Sequence, residues 1–193
     1  TNSIDNGAHN FIGSGTLNSI GNANDATIGG GNDNDIAASV TAGTIAGGAS
    51  NKLNGGTYGA VTGGQSNVIT AGTHNNIAGG QSNTITSGNH NAILGGQSNT
   101  VNSGNFSAVL GGNGNDVTGN YSFALGNSSS AGANGFALGN NATAVADEFS
   151  AKYSAGFKVE GDGSANGNFV ATFINPSDGN GISIQVEANN PDN

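Results

Sequence analysis

The sequence predicts an all-β protein, a parallel β-solenoid with coils of about 16 residues, and three observations carry that prediction. Between Gly63 and Gly112 the chain repeats nearly the same text three times: GGQSNVITAGTHNNIA, GGQSNTITSGNHNAIL and GGQSNTVNSGNFSAVL. Ile or Val keeps a fixed phase in every copy, which disordered Gly-rich chains rarely do. Helical periodicity is absent, and β-branched residues between Gly corners favour extended backbone. A unit this short cannot bury an apolar face alone, so it must stack on copies of itself.

Each coil is marked by an Asn two residues before an Ile, Leu or Val. The series is Asn2, Asn18, Asn34, Asn51, Asn67, Asn83, Asn99 and Asn115, with steps of 16 except for one of 17 between Asn34 and Asn51. Stacking places these side chains about 4.8 Å apart, where their amides can bond as a ladder. Gly72, Gly88, Gly104 and the Gly-Gly pairs mark corners where φ turns positive. The second segment of each coil reads Asn-Asn-Ile-Ala at 75–78, Asn-Ala-Ile-Leu at 91–94 and Ser-Ala-Val-Leu at 107–110. Alternation puts Ile93 and Val109 on one face and Leu94 and Leu110 on the other. One face fills the coil; the other forms an apolar stripe of the kind that marks an interface, so the chain is expected to form an oligomer with these faces around an axis.

After Gly112 the period contracts. Ser122-Phe-Ala-Leu-Gly126 is followed by Gly135-Phe-Ala-Leu-Gly139 and then by Asn140-Asn-Ala-Thr-Ala144. This Ser-x-Ala-hydrophobic-Gly rhythm resembles the head repeats of trimeric autotransporter adhesins (the YadA-like heads), which recur in phage and phage-like tail fibres. The resemblance is close over roughly 110–145 and loose upstream, where the units are longer and rich in Gln-Ser-Asn. It implies a left-handed parallel β-roll, a homotrimer and no catalytic residues. The organisation expected is a repeat array over 1–144, a neck over 145–160 and the start of a small β domain over 161–193. Aromatics at 149, 153 and 157 would suit an amphipathic helix. The Ser, Gly and Val content there, and similarity to the segment closing such rolls in tail fibres, favour strands. Asn168–Ile174 and Gly181–Val186 read as two strands around an Asn-Pro-Ser-Asp-Gly-Asn turn. Thr1 falls within a repeat and Asn193 closes none, so the chain reads as a piece of a longer fibre.

Net charge is −9 with only three basic residues, which disfavours binding to nucleic acid. The charge is uneven: residues 1–144 hold five acids and Lys52, while the last 49 hold seven acids and two lysines. With no Cys, disulfides and thiolate metal sites are excluded, and no apolar run is long enough to span a bilayer as a helix.

Candidate sites are few. His9, Tyr58, His74, His90, Phe106 and Tyr121 share one repeat position. Such a row could be a ligand platform or hold an ion near an axis, but a flat ring filling a groove beside the corner Gly is the structural reading. No two of these His stand with an Asp or Glu at metal-ligand spacing. Asp162-Gly-Ser-Ala-Asn-Gly167 resembles the start of a calcium loop but has Ser at the second ligand and Phe173 at the twelfth position. Thr84-Ile-Thr86 suggests an ice-binding face, which Lys52 and Asp116 interrupt in other coils. The sequons at Asn105, Asn120, Asn127 and Asn141 are expected by chance in a chain so rich in Asn and Ser. No catalytic constellation and no cofactor motif stands out.

The function expected is therefore structural and adhesive. It is that of a trimeric fibre segment outside the cell, on a virion, an injection-system particle or a cell surface, meeting a glycan or protein receptor. The alternatives are a bacterial autotransporter-type adhesin, a trimeric polysaccharide-depolymerase spike and an ice-binding solenoid.

Overall fold

A computed structural model describes residues 1–153. They wind into a solenoid of two ten-stranded sheets, with all neighbouring strands parallel. The first sheet runs from Ser3–Ile4 to Thr143–Ala144 and the second from Phe11–Ile12 to Phe149–Lys152. Successive strands alternate between the sheets, so one strand of each makes a coil. No helix occurs among the described residues.

Most strands need only two residues, one outward and one inward. Val68, Thr84 and Thr100 lie over one another on the outside, and Ile69, Ile85 and Val101 do so inside. The interior is a seam of two such columns. The first sheet supplies Ile20, Ile36, Leu53, Ile69, Ile85, Val101 and Val117; the second supplies Ile28, Ile45, Val61, Ile77, Ile93 and Val109. All are buried, and each such side chain contributes about 1.5–3 kcal/mol on leaving water.

The 16-residue period divides into two halves built alike. From Gly64 to Asn99 each corner has a Gly with positive φ, then a polar residue, then a residue held left-handed, then a buried Asn. Gly64, Ser66 and Asn67 do this at one corner, and Gly72, His74 and Asn75 at the next. Glycine is required because a Cβ on Gly64 would stand 2.2 Å from the Gly80 carbonyl oxygen.

The single 17-residue step has a local cause. Ile36 and Ile45 are nine residues apart rather than eight, and Val40–Thr41 makes an extra strand with Gly56–Thr57. Val40 turns inward and is buried. Gly43 stands where Asn75 and Asn91 stand in later coils, and a Cβ there would meet Val40 Cγ1 at 2.4 Å.

Further on, the coils shrink. Val109 pairs with Ala124, Ala124 with Ala137 and Ala137 with Ser150, so the step falls from 15 to 13 residues. A bulge at Leu110, between Val109 and Gly111, takes up the first change. Strands lengthen to five residues at Phe123–Asn127 and Phe136–Asn140.

The array continues past the boundary expected at residue 144. Phe149–Lys152 adds a tenth rung to the second sheet, with Phe149 over Phe136 and Ser150 over Ala137. Outward Phe and small inward residue are enough to extend the sheet without the usual Leu-Gly-Asn text. The remainder of the expected neck, the small domain over 161–193 and the calcium-like loop at Asp162 lie outside the described residues.

Candidate functional site

Asn18, Asn34, Asn51, Asn67, Asn83, Asn99 and Asn115 are all buried, one per coil, at the first-sheet corner. Their bonding differs from a plain amide-to-amide ladder. Asn83 shows the pattern: its Oδ1 accepts from the Asn99 backbone N–H at 3.0 Å. Its Nδ2 donates to Gly79 O within the coil and to Gly96 O in the next, both at 3.0 Å. Direct amide-to-amide bonds occur at the two ends, as from Asn34 to Asn18 at 3.1 Å and from Asn115 to Asn99 at 3.0 Å. The backbone groups stranded at each tight corner need partners, and Asn has one acceptor and two donors to give them. Asn2, in the first coil, accepts from the Asn18 backbone N–H at 3.1 Å but is exposed.

A second buried ladder stands at the opposite corner. Asn75 and Asn91 repeat the same bonds, and Ser107 and Ser122 continue the column. Its signal was present in the text as Asn75-x-Ile77 and Asn91-x-Ile93, half a period out of phase with the first series. Among the described residues every buried side-chain nitrogen and oxygen has a partner.

The ring position lies beside this second ladder. Tyr58, His74, His90, Phe106 and Tyr121 form one stacked column, with centroids 4.9, 4.9, 4.7 and 5.4 Å apart. His9 is not part of it: Asp25 and Ala42 occupy the two intervening corners, and His9 Nδ1 lies 3.0 Å from Asp25 Oδ1 instead. The rings sit on left-handed backbone, with φ of 53–59°. That conformation costs a non-Gly residue roughly 1 kcal/mol, comparable with what a ring contact returns. Stacking leaves the ring edges open while covering the faces of the central rings. The His74 and His90 rings are within 6° of parallel, so their nitrogens do not converge on one ion as tetrahedral coordination needs. No group of three or more His, Asp or Glu able to hold a metal occurs among the described residues.

The outer faces of the two sheets differ sharply. On the first, Asp35, Lys52, Thr84, Thr100 and Asp116 point outward. Asp116 has a shifted titration. Partial burial raises its carboxyl above the usual carboxylate range, and the bond from Asn102 Nδ2, at 2.6 Å, partly offsets this. On the second sheet the outward residues after Ala78 carry no charge until Lys152: Ala92, Leu94, Ala108, Leu110, Phe123, Leu125, Phe136, Leu138, Phe149 and Ala151. Leu94 is 53% exposed and Phe149 59%, and Phe123, Phe136 and Phe149 touch in series, with centroids 6.1 and 5.2 Å apart. Upstream, the same columns hold Phe11 in the first coil and then Thr27, Thr44, Ala60, Thr62 and Asn76.

The sequons also gain a structural origin. Ser107, Ser122 and Ser129, two residues after Asn105, Asn120 and Asn127, are buried ladder members. Asn105 Nδ2 itself donates to Asn120 Oδ1 at 2.9 Å.

No protein-family model matches this chain, and no curated protein matches it. The site that geometry singles out is therefore the apolar outer face of the second sheet, bordered by the ring column.

Proposed function

We propose that this chain is a structural and adhesive fibre segment, three copies of which associate through the outer faces of their second sheets. The observation that carries the reading is the uncharged stripe from Ala92 to Ala151, along which Leu94, Leu110, Phe123, Phe136 and Phe149 are exposed in successive coils. Exposed apolar surface of this extent is covered in a stable assembly. The resemblance of 110–145 to adhesin-head and tail-fibre repeats supports a homotrimer of left-handed rolls at the surface of a virion, an injection-system particle or a cell. Ten rungs at about 4.8 Å give a rod of roughly 45 Å, suited to holding a glycan- or protein-binding surface away from its base. The proposal is of a non-enzymatic role, without cofactor, nucleic acid or membrane insertion.

Sedimentation of the intact protein tests it. A mass of three chains is expected, shifting to one chain in Leu125→Asp, which places a charge in the middle of the stripe. A wild-type protein that stays monomeric at micromolar concentration would refute the assembly.

A further inference from the structure

Four Asn-Gly dipeptides lie in the described residues: Asn6-Gly7, Asn54-Gly55, Asn113-Gly114 and Asn134-Gly135. Asn followed by Gly is prone to a self-reaction, because Gly offers its backbone nitrogen with no side chain to hinder attack. That reaction requires two freedoms. The Asn side chain must swing its Cγ onto the next residue's nitrogen, and that nitrogen must not be held in a hydrogen bond. The fold grants these freedoms unequally.

At Asn113-Gly114 both are withdrawn. Gly114 N donates to Gln97 O at 2.9 Å, and Asn113 Nδ2 donates to Gln97 Oε1 at 3.2 Å. At Asn134-Gly135 the same is true: Gly135 N donates to Gly132 O at 2.9 Å, and Asn134 Nδ2 donates to Asp147 Oδ1 at 2.8 Å. Asn54-Gly55 differs on each count. The Asn54 side chain is exposed and makes no hydrogen bond, and the Gly55 nitrogen donates to nothing. Only the Asn54 main chain is tied, its N–H donating to Ile69 O at 2.9 Å and its carbonyl accepting from Ser39 Oγ at 2.8 Å. The dipeptide sits across from the inserted residue of the 17-residue step, where the regular corner pattern is broken.

We propose that Asn54 is a site of spontaneous deamidation in the folded roll. The Gly55 nitrogen attacks Asn54 Cγ and loses its proton, and ammonia leaves, closing a five-membered succinimide. Water then opens the ring at either carbonyl, giving Asp or isoaspartate. The net change is one water consumed and one ammonia released, with no oxidant or cofactor. Asn6-Gly7, in the first coil, is open in the same way and reacts likewise. The product places a carboxylate two residues from Lys52 on the outer face of the first sheet. In the isoaspartate form the main chain gains a methylene just before Gly56, a corner with no slack, where a Cβ would stand 2.0 Å from Gly72 O. Slow, local loosening of this coil follows.

The test is to incubate the full chain, native and in urea, in warm, mildly alkaline buffer, and to map isoaspartate by enzymatic methyl labelling and peptide mass spectrometry. In urea, Asn54, Asn113 and Asn134 are expected to convert at similar rates. In the native protein Asn54 is expected to outpace the other two by on the order of tenfold, since their reaction needs local opening first. Asn54→Gln, which keeps the amide but disfavours the five-membered ring, is expected to abolish label at 54 and leave Asn6 unchanged. Equal native rates at Asn54, Asn113 and Asn134 would overturn the proposal. So would an inert Asn54 in a native chain whose urea-unfolded form converts.

Discussion

From Thr84 to Thr100 a rung of the first sheet takes 16 residues; from Ser130 to Thr143 it takes 13. Both regions are parallel two-sheet rolls with a buried polar ladder, yet they are filled differently. The wide coils hold Ile85 and Ile93 inside and Asn83 and Asn91 at the corners. The narrow coils hold Ala131 and Ala137 inside, with Ser122 and Ser129 at the corners. The reason lies in reach. Asn115 Nδ2 spans to Gly126 O at 2.9 Å, while one coil later Ser129 Oγ reaches Gly139 O at 2.8 Å with a side chain one bond shorter. Removing residues from a coil draws its two sheets and its next corner together. Coil length, core volume and ladder residue are thus one variable seen three ways.

The sharpest way to break that comparison is at a wide-coil corner. Asn83→Asp would set a buried carboxylate oxygen against the carbonyls of Gly79 and Gly96, which Nδ2 now serves. A loss of about 3–5 kcal/mol is expected, as for other buried charges left unpaired. Ser129→Ala removes a single ladder bond, at a cost of about 1 kcal/mol. Denaturant melts of the two variants measure both. An unchanged midpoint for Asn83→Asp would remove the corner ladder from the account of stability.

Next in size is exchange of core residues between the regions. Ile85→Ala leaves a void in a wide coil and is expected to cost about 2–5 kcal/mol. Ala131→Ile is expected to cost about 1–3 kcal/mol by overpacking a coil too narrow for it. If the narrow coil accepted Ile without loss, its short period would not reflect a smaller cross-section.

Much of this contrast was legible in the text, and what was missed has a physical cause. Asn67, Asn83 and Asn99 announce the stacking because, in a wide coil, the amide serves three backbone groups at that corner, so the letter recurs. The Ile-to-Val-to-Ala drift at 93, 109, 124 and 137 likewise reports coil width directly. The second ladder was harder to see, since Ala26, Gly43, Gly59, Ser107 and Ser122 replace its Asn and only Asn10, Asn75 and Asn91 spell it out. The ring row misled in the opposite sense. His9 shares the left-handed corner with His74 but not its stack, because a repeat position fixes backbone conformation and leaves the exposed side chain free. Strand is expected near Phe149 from the sequence, but its place as a further rung is not, because a strand pair needs only register, and register leaves no letter when the corner text changes.

The smallest expected effect lies where the two regions meet, at Asp116, whose rung neighbours are Thr100 in a wide coil and Ser130 in a narrow one. Burial, the larger influence, lifts its carboxyl above the ordinary 3.8, and the Asn102 bond only partly counters it. The folded chain therefore holds this proton more tightly than the unfolded chain. The sign follows: stability from this group is greatest in acid and declines as pH rises from 3.8 through the raised folded value. Asp116→Asn keeps an oxygen for Asn102 Nδ2 and removes the charge. With much of the carboxyl still in solvent, the gain expected near neutrality is no more than about 0.5 kcal/mol, vanishing below the unfolded pKa. Melting curves of the two proteins across the acid range should converge at low pH and separate above it. Parallel curves would mean that this carboxylate is as well hydrated on the roll as on the unfolded chain, and that the junction between coil types leaves it fully open to water.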